Sequence, residues 1–188
     1  MPKKGVQNKM LKIRPMKEQD LPQLFELYAH ARKYMAKTGN PYQWPESYPS
    51  REILLKDMAN GGYVILDESP DDNQYEEHSN SSNRGNPTIV GAFILEEDAH
   101  EPAYDTIDGK WLNDEPYAVI HRCATLYNQK GIGQFFMDWC FEKCSNIRVD
   151  THKDNLPMIK FLKKNNFTYC GIVRYEGVWE RLAYQRLL

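Results

Sequence analysis

Two glycines, Gly131 and Gly133, follow a β-rich run over residues 117–126 and form the most informative motif of this chain. The pattern predicts a strand, a short loop and then a helix that begins at the glycines. The first N–H groups of a helix have no acceptor within the helix, and the helix dipole adds partial positive charge there. Because glycines also let a phosphate approach the backbone closely, the segment predicts a phosphate cradle for a nucleotide-like cofactor. The simpler alternative is a glycine turn that only joins a strand to a helix.

The spacing of these glycines does not fit two common phosphate motifs. Phe136 stands where the dinucleotide fingerprint needs its third glycine, and no Gly-Lys-Ser/Thr follows as a Walker loop requires. Lys130 directly precedes the first glycine, where it could add its charge to a bound phosphate or could be an ordinary exposed lysine.

The composition limits the classes of protein to which this chain can belong. With 188 residues, of which 41% are hydrophobic, we expect one folded domain over residues 1–188. A net charge of −2 argues against nucleic acid or an anionic membrane surface as a partner. No run approaches about 18 apolar residues, and none follows the first five residues, so neither a membrane span nor a signal peptide is expected. The four cysteines form no Cys-x-x-Cys pair, which predicts no metal site and buried thiols in a reducing cytoplasm.

Hydrophobic periodicity and capping residues predict the elements that must position the glycine motif. Asp20 and Ser50 are the expected N-caps of two helices, a third helix is expected over 132–144, and Asn155 is expected to begin a fourth. Seven strands complete the predicted order β-α-α-β-β-β-α-β-α-β-β. The polar residues 68–87 are expected to form a mobile loop within the domain, and residues 96–116 a second polar loop.

The residues around the glycines resemble the cofactor signature of the GNAT superfamily of acyl-CoA-dependent N-acyltransferases. That signature is Arg/Gln-x-x-Gly-x-Gly/Ala, and this chain reads Asn128-Gln129-Lys130-Gly131-Ile132-Gly133, with Asn128 at the first position. A second signature, an asparagine after the next strand and a helix ending in Gly-Phe, is similar to Asn155 and Asn166-Phe167. The resemblance covers nearly the whole chain. It implies an α/β (α+β) fold with a mixed, mostly antiparallel sheet of about seven strands flanked by about four helices.

The resemblance also implies that acetyl-CoA is the co-substrate, without a metal. Its pyrophosphate would lie on the loop 128–134, and its pantetheine arm would pair like an extra strand with the backbone of residues 123–125. Asn155 resembles the family residue that hydrogen-bonds the pantetheine, and it could also be a helix N-cap. The implied cofactor-binding residues are Cys123, Ala124, Thr125, Asn128, Gln129, Lys130, Gly131, Ile132, Gly133, Gln134 and Asn155.

Acetyl transfer to an amine needs a general base, for which His121 is the first candidate. Its unperturbed pKa of about 6.5 suits proton acceptance near neutrality. Strand alternation predicts that His121 and Cys123 lie on one face of the strand. The alternative is a buried histidine hydrogen-bonded to a backbone carbonyl. Glu96, at the end of a preceding strand, is the second candidate base, or it is an exposed surface charge.

The family's usual proton donor to the leaving thiolate is a tyrosine seven residues after the asparagine, and Leu162 occupies that position here. Either another group or water supplies the proton, or the transfer is slow; Tyr169 and Tyr175 are close in sequence only. For the acceptor, the candidates are Trp44, Tyr48 and Arg122, the last for an acidic substrate group or a nearby carboxylate. Further loop aromatics could line a pocket or cover the core, namely Tyr42, Tyr104 and Trp111.

We therefore expect a cytoplasmic N-acetyltransferase whose small-molecule or peptide acceptor attacks acetyl-CoA directly through a primary amine. A CoA-binding sensor or interaction module without turnover remains the alternative, motivated by Leu162. An unrelated α/β nucleotide-binding protein is a third reading. Dimers are common in the family, so a homodimer also stays open.

Overall fold

The computed structural model describes residues 10–68, 87–126 and 130–188. The predicted loop 68–87 lies outside them except at its two ends, as do Asn128 and Gln129. The elements in chain order are β1 Leu11–Pro15, α1 Leu21–Lys37, α2 Arg51–Ala59, β2 Gly62–Asp67, β3 Thr88–Glu96, β4 Ile107–Gly109, β5 Ala118–Thr125, α3 Ile132–Lys143, β6 Asn146–Thr151, α4 Leu156–Lys164, β7 Thr168–Tyr175 and β8 Trp179–Leu187.

The helix ends follow local chemistry at three of the predicted positions. Ser50 caps α2 by accepting the N–H of Ile53 at 3.3 Å, and Asn155 caps α4 by accepting the N–H of Met158 at 3.2 Å. Asn166 ends α4 in the left-handed region at φ +58°. Asp20 precedes α1 but makes no side-chain cap; its carboxylate instead accepts two hydrogen bonds from Arg14, at 2.7 and 2.8 Å.

The described strands form one sheet in the order β1-β2-β3-β5-β6-β8-β7-β4. Every neighbouring pair is antiparallel except β5 and β6. The mixed, mostly antiparallel sheet is confirmed, with eight strands rather than about seven. The eighth, β4, lies in the segment 96–116 that was predicted to be a polar loop, and three residues are too few to show a strand period.

The helices cover both faces of the sheet with apolar side chains. On one face α3 and α4 contribute Phe136, Met137 and Leu162 to a cluster that includes Phe93. On the other face α1 and α2 contribute to a second cluster built around residues such as Leu24, Tyr28, Leu54 and Ala92. Strand β3 supplies both clusters because alternate residues point to opposite faces.

Two irregularities in β5 shape the centre of the sheet. First, β5 and β6 pair only at Ala118–Ile147 and Val119–Arg148, so the β5 edge beyond Val119 has no paired strand on that side among the described residues. Second, His121 pairs with Ile94 and Ala124 with Ala92, which sets two residues of β5 opposite Phe93. This is a β-bulge, and Arg122 within it has φ +44°.

Candidate active site

A cavity of about 730 Å³ lies where β5 and β6 separate. Its wall combines residues 120–125 of β5, residues 149–151 of β6, the first turns of α3 and α4, and the aromatic loop, by which we mean residues 41–49 between α1 and α2. Most of the predicted site residues therefore meet around one space, although they come from distant parts of the chain.

The N-terminal turn of α3 forms one border of this cavity. Gly131 adopts φ +93°, and the N–H of Phe135 donates the first hydrogen bond of the helix to the carbonyl of Gly131 at 3.0 Å. The preceding N–H groups lie ahead of the helical ladder, as anion binding requires. Gly133 lines the cavity, and a Cβ there would stand 3.2 Å from the Phe161 ring, so glycine keeps this wall open.

The other residues of the predicted phosphate loop play different parts. Ile132 is fully buried in the core, so only its backbone can serve a ligand. The Gln134 amide donates to Asp138 and Asn165 rather than pointing to the cavity. Lys130 is exposed at the start of the turn.

The part of β5 that lies beyond its pairing with β6 forms the adjoining wall, with Cys123, Ala124 and Thr125. The Cys123 sulfur lies 4.0 Å from the Met158 sulfur of α4, and burial raises the pKa of this thiol to about 11. The thiol therefore keeps its proton near neutral pH. Asn155, at the start of α4, also lines the cavity and caps its own helix.

His121 lines the cavity, with its Nε2 atom 3.7 Å from Oε2 of Glu101. Burial, and then the positive charge of Arg122, lower the pKa of His121 to about 4, so its imidazole is neutral at pH 7. The prediction that His121 and Cys123 share a face was wrong. The bulge at Arg122 reverses the alternation, so His121 shares its face with Ala124, whereas Cys123 packs toward the α3–α4 core.

Two carboxylates accompany His121 in the cavity wall. Glu96, the second candidate base, ends β3 and is half-buried. Glu101 was not predicted; a short 3-10 turn at Pro102–Tyr104 follows it, and its carboxylate accepts the N–H of Ala103 at 3.2 Å. Burial raises the pKa of Glu101, and the neighbouring charges of Asp150 and Glu96 act in the same direction.

Asp150, at the end of β6, connects two tyrosines. Its Oδ2 atom accepts the hydroxyl of Tyr175 at 2.7 Å and that of Tyr104 at 2.9 Å. Burial raises the pKa of Asp150 against these two hydrogen bonds, and burial also raises the pKa of the Tyr175 hydroxyl, which lines the cavity. Leu162, at the position of the family's acid tyrosine, is fully buried in the core.

Arg122 projects toward α2, where it is bound to Asp57 by two hydrogen bonds from Nε and Nη2. Its Nη1 also donates to the Tyr48 hydroxyl at 3.1 Å. Burial alone would lower the pKa of Arg122, but its hydrogen bonds to Asp57 outweigh this effect and raise the pKa above its ordinary value. The guanidinium therefore stays charged. Arg122 was expected to bind either an acidic group of the substrate or a nearby carboxylate, and in the structure it binds the carboxylate of Asp57.

The loop aromatics separate into two groups. Trp44 and Tyr48 line the cavity, with Trp44 packed edge-on against Tyr28 at a ring distance of 5.7 Å. Tyr104 and Trp111 are buried in a third core cluster instead. Tyr42 is 86% exposed, and Tyr169 is also exposed.

Two classes of site are not seen in the described part of the chain. Within it, no three side chains of His, Cys, Asp or Glu are grouped so that they could hold a metal ion. Nor does any helix of residues 10–68, 87–126 and 130–188 have the length and apolar character needed to cross a bilayer.

Comparisons with known proteins agree with this geometry. No protein-family model and no curated protein matches the sequence. The structure is similar to a GNAT-family acetyltransferase from Streptococcus agalactiae, 29% identical, with 95% of each chain covered and a TM-score of 0.76.

Two more distant solved structures share the fold alone. One is a GNAT-family acetyltransferase from Listeria monocytogenes, 15% identical, with 96% of this chain and 100% of that chain covered and a TM-score of 0.62. The other belongs to the NatC complex bound to Gag peptide and CoA, 15% identical, with 95% and 98% covered and a TM-score of 0.55. The predicted resemblance is thus confirmed, and the chain has the fold of the GNAT-family acetyltransferases.

Proposed function

We propose that this protein is an acetyl-CoA-dependent N-acetyltransferase that moves an acetyl group to a primary amine by direct attack. One observation carries the proposal: a single cavity is bordered by the α3 N-terminal turn, the unpaired edge of β5 and the His121–Glu101 pair. A phosphate-bearing acyl donor and a proton acceptor can therefore meet in one space.

The donor side uses backbone groups for most of its contacts. The pyrophosphate of acetyl-CoA would bind the N–H groups at the start of α3, where the helix dipole favours negative charge. The amide groups of the pantetheine arm would pair with the free edge of Cys123–Thr125, which has the spacing of a strand. A backbone N–H on that edge would polarise the thioester carbonyl.

The acceptor side supplies the base. The amine nitrogen attacks the thioester carbon, the N–C bond forms, the C–S bond breaks, and the proton of the attacking nitrogen moves to His121. A pKa of about 4 leaves His121 neutral but makes its imidazole a weaker base than an ordinary histidine, so the transfer needs the Glu101 carboxylate, 3.7 Å away, to stabilise the imidazolium. The proton then passes to the thiolate, so the products are an amide and free CoA.

Direct attack fits the thiol and tyrosines of the cavity. Cys123, with a pKa of about 11, is a weak nucleophile, which argues against an acetyl-cysteine intermediate. The Tyr175 hydroxyl is bound to Asp150 and its pKa is raised, so it is a poor acid for the leaving thiolate. We therefore assign that proton to the protonated base or to water.

The charges of the wall favour a cationic acceptor. Three carboxylates line the cavity, from Glu96, Glu101 and Asp150, against two cations, Lys56 and Arg181, while the charge of Arg122 is compensated by Asp57. The formal balance of the wall is therefore one negative charge. Carboxylates in the wall would attract the ammonium form of the acceptor, which must lose a proton before its nitrogen can attack. The four cysteines are all free, which suits a reducing compartment, and we propose the cytoplasm.

A CoA-binding module without turnover is the second candidate. Buried Leu162 favours it, because a leucine cannot protonate a thiolate. Turnover alone separates the two candidates, since both bind CoA.

The test is acetyl-CoA-dependent thiol release with a panel of monoamines, diamines and basic peptides. We expect release with at least one cationic amine, and a loss of about 100-fold in kcat for His121→Ala. Comparing kcat for Glu101→Gln and Glu96→Gln shows which of the two carboxylates contributes more to turnover. His100→Ala is the matched control, because this histidine is exposed and paired with Asp105 outside the cavity. Acetyl-CoA binding without release for any amine would favour the sensor.

A further inference from the structure

One side chain of the aromatic loop, Gln43, is hydrogen-bonded to the start of α4. Its Oε1 atom accepts the Nδ2 group of Asn155 at 2.9 Å, across 112 positions of sequence. The same oxygen accepts the Nδ2 group of Asn40 at 2.6 Å. Asn40 is buried and directly precedes the aromatic loop, so Gln43 is held at the start of its loop while it reaches the opposite wall.

These contacts determine how the Asn155 amide is oriented. Its Oδ1 accepts the N–H of Met158, so this oxygen faces the helix, and its nitrogen faces Gln43. A flipped amide would set a carbonyl oxygen against the Gln43 oxygen and an N–H group against the Met158 N–H. Gln43 and the helix cap together therefore permit one orientation of Asn155.

That orientation leaves a donor available. An asparagine nitrogen carries two N–H groups, and Gln43 accepts one of them. Within residues 10–68, 87–126 and 130–188, no second acceptor for this nitrogen is found, and both Asn155 and Gln43 line the cavity. The second N–H can therefore donate to a carbonyl of a bound molecule.

We propose that Gln43 is a positioning residue for the acyl donor: it orients Asn155 so that the free N–H donates to an amide carbonyl of the pantetheine arm. This inference rests on the proposed function. The aromatic loop would then affect the affinity for the acyl donor indirectly, because Gln43 touches Asn155 and not the reacting atoms.

The experiment measures the Kd of acetyl-CoA by titration calorimetry for a set of matched variants. Gln43→Leu keeps the approximate size of the side chain but removes the acceptor, and we expect binding to weaken about three- to tenfold, as for one lost hydrogen bond. Gln43→Glu keeps an oxygen acceptor and should stay within about threefold of the wild type. Tyr42→Leu, at the exposed neighbouring position, should leave the Kd unchanged.

A double-mutant cycle shows whether Gln43 acts through Asn155. In an Asn155→Ala background, Gln43→Leu should cause no further loss of affinity. Three results would each overturn the inference: equal losses of affinity in both backgrounds, an unchanged Kd for Gln43→Leu, or tighter binding by that variant. None of them affects the proposed function as long as the wild-type protein binds acetyl-CoA. A wild-type protein that does not bind acetyl-CoA would overturn the proposed function itself, and the inference with it.

Discussion

At the scale of single residues, burial changes the titration of the two cavity groups in opposite directions. It lowers the pKa of His121 to about 4 and raises that of Cys123 to about 11. Both groups are therefore neutral at pH 7, but in different protonation states: the imidazole has lost its extra proton, whereas the thiol retains its own. The same burial links the charge state of His121 to the stability of the fold.

The stability of the protein should depend on pH through His121. Between pH 6.5 and 4 the unfolded chain binds a proton at this histidine that the folded chain does not, so stability is full above pH 6.5 and decreases as the pH falls. From pH 7.5 to pH 5 we expect wild type to lose about 2 kcal/mol more than His121→Gln. Urea unfolding of both proteins at the two pH values measures this difference, and parallel losses would refute the lowered pKa.

The residues of the site differ in how far the sequence could indicate them. His121 could be predicted as a candidate base because an imidazole in a strand beside a glycine motif is chemically distinctive. Glu101 and Gln43 gave no such signal. Glu101 reaches His121 because of a three-residue turn, and Gln43 reaches Asn155 across 112 positions, so neither contact is encoded in local spacing.

At the scale of the elements, β5 connects the sheet to both sides of the cavity. Its bulge turns Arg122 toward α2, and its unpaired edge faces the separation from β6. The long periodic helices and the caps at Ser50 and Asn155 could be predicted, because each depends on neighbours in sequence. The bulge could not, because the register of β3 against β5 is a property of the sheet and not of the strand alone.

The bond between α2 and β5 should be energetically important. Asp57→Asn leaves the largely buried Arg122 guanidinium without its counter-charge, and we expect the free energy of unfolding to fall by about 3 kcal/mol. Urea unfolding measures the loss. Arg51→Ala, which removes the exposed ion pair with Glu18, should change stability by less than about 1 kcal/mol and serves as the control. Equal effects of the two changes would contradict this assignment.

The α3 N-terminal turn should separate binding from stability. Gly131 and Gly177 have positive φ angles of +93° and +71°, and a Cβ at either would meet nothing within 4 Å. Replacing either by alanine should cost about 1–2 kcal/mol of stability, through backbone strain alone. Only Gly131→Ala should also weaken acetyl-CoA binding in calorimetry, since Gly177 lies in the turn between β7 and β8. A matching loss of affinity in Gly177→Ala would mean that backbone strain, and not the position of Gly131 beside the bound ligand, weakens acetyl-CoA binding.

At the scale of the whole molecule, the parallel pair β5–β6 occupies the middle of the eight-stranded order. The cavity therefore opens between the two halves of one sheet. A ligand held there contacts β5 on one half and β6 and α4 on the other. Its binding should stabilise the fold as a unit, because binding to the folded state alone shifts the unfolding equilibrium.

The most direct test of the central claim compares the thermal unfolding of the protein with acetyl-CoA, CoA, ATP and NAD. A ligand at about 100 times its Kd adds about 2.7 kcal/mol of stability. We predict that acetyl-CoA and CoA raise the Tm in a concentration-dependent way, while ATP and NAD at equal concentrations do not. Stabilisation by ATP or NAD alone, or no shift with either CoA species over a wide concentration range, would contradict the acetyltransferase account.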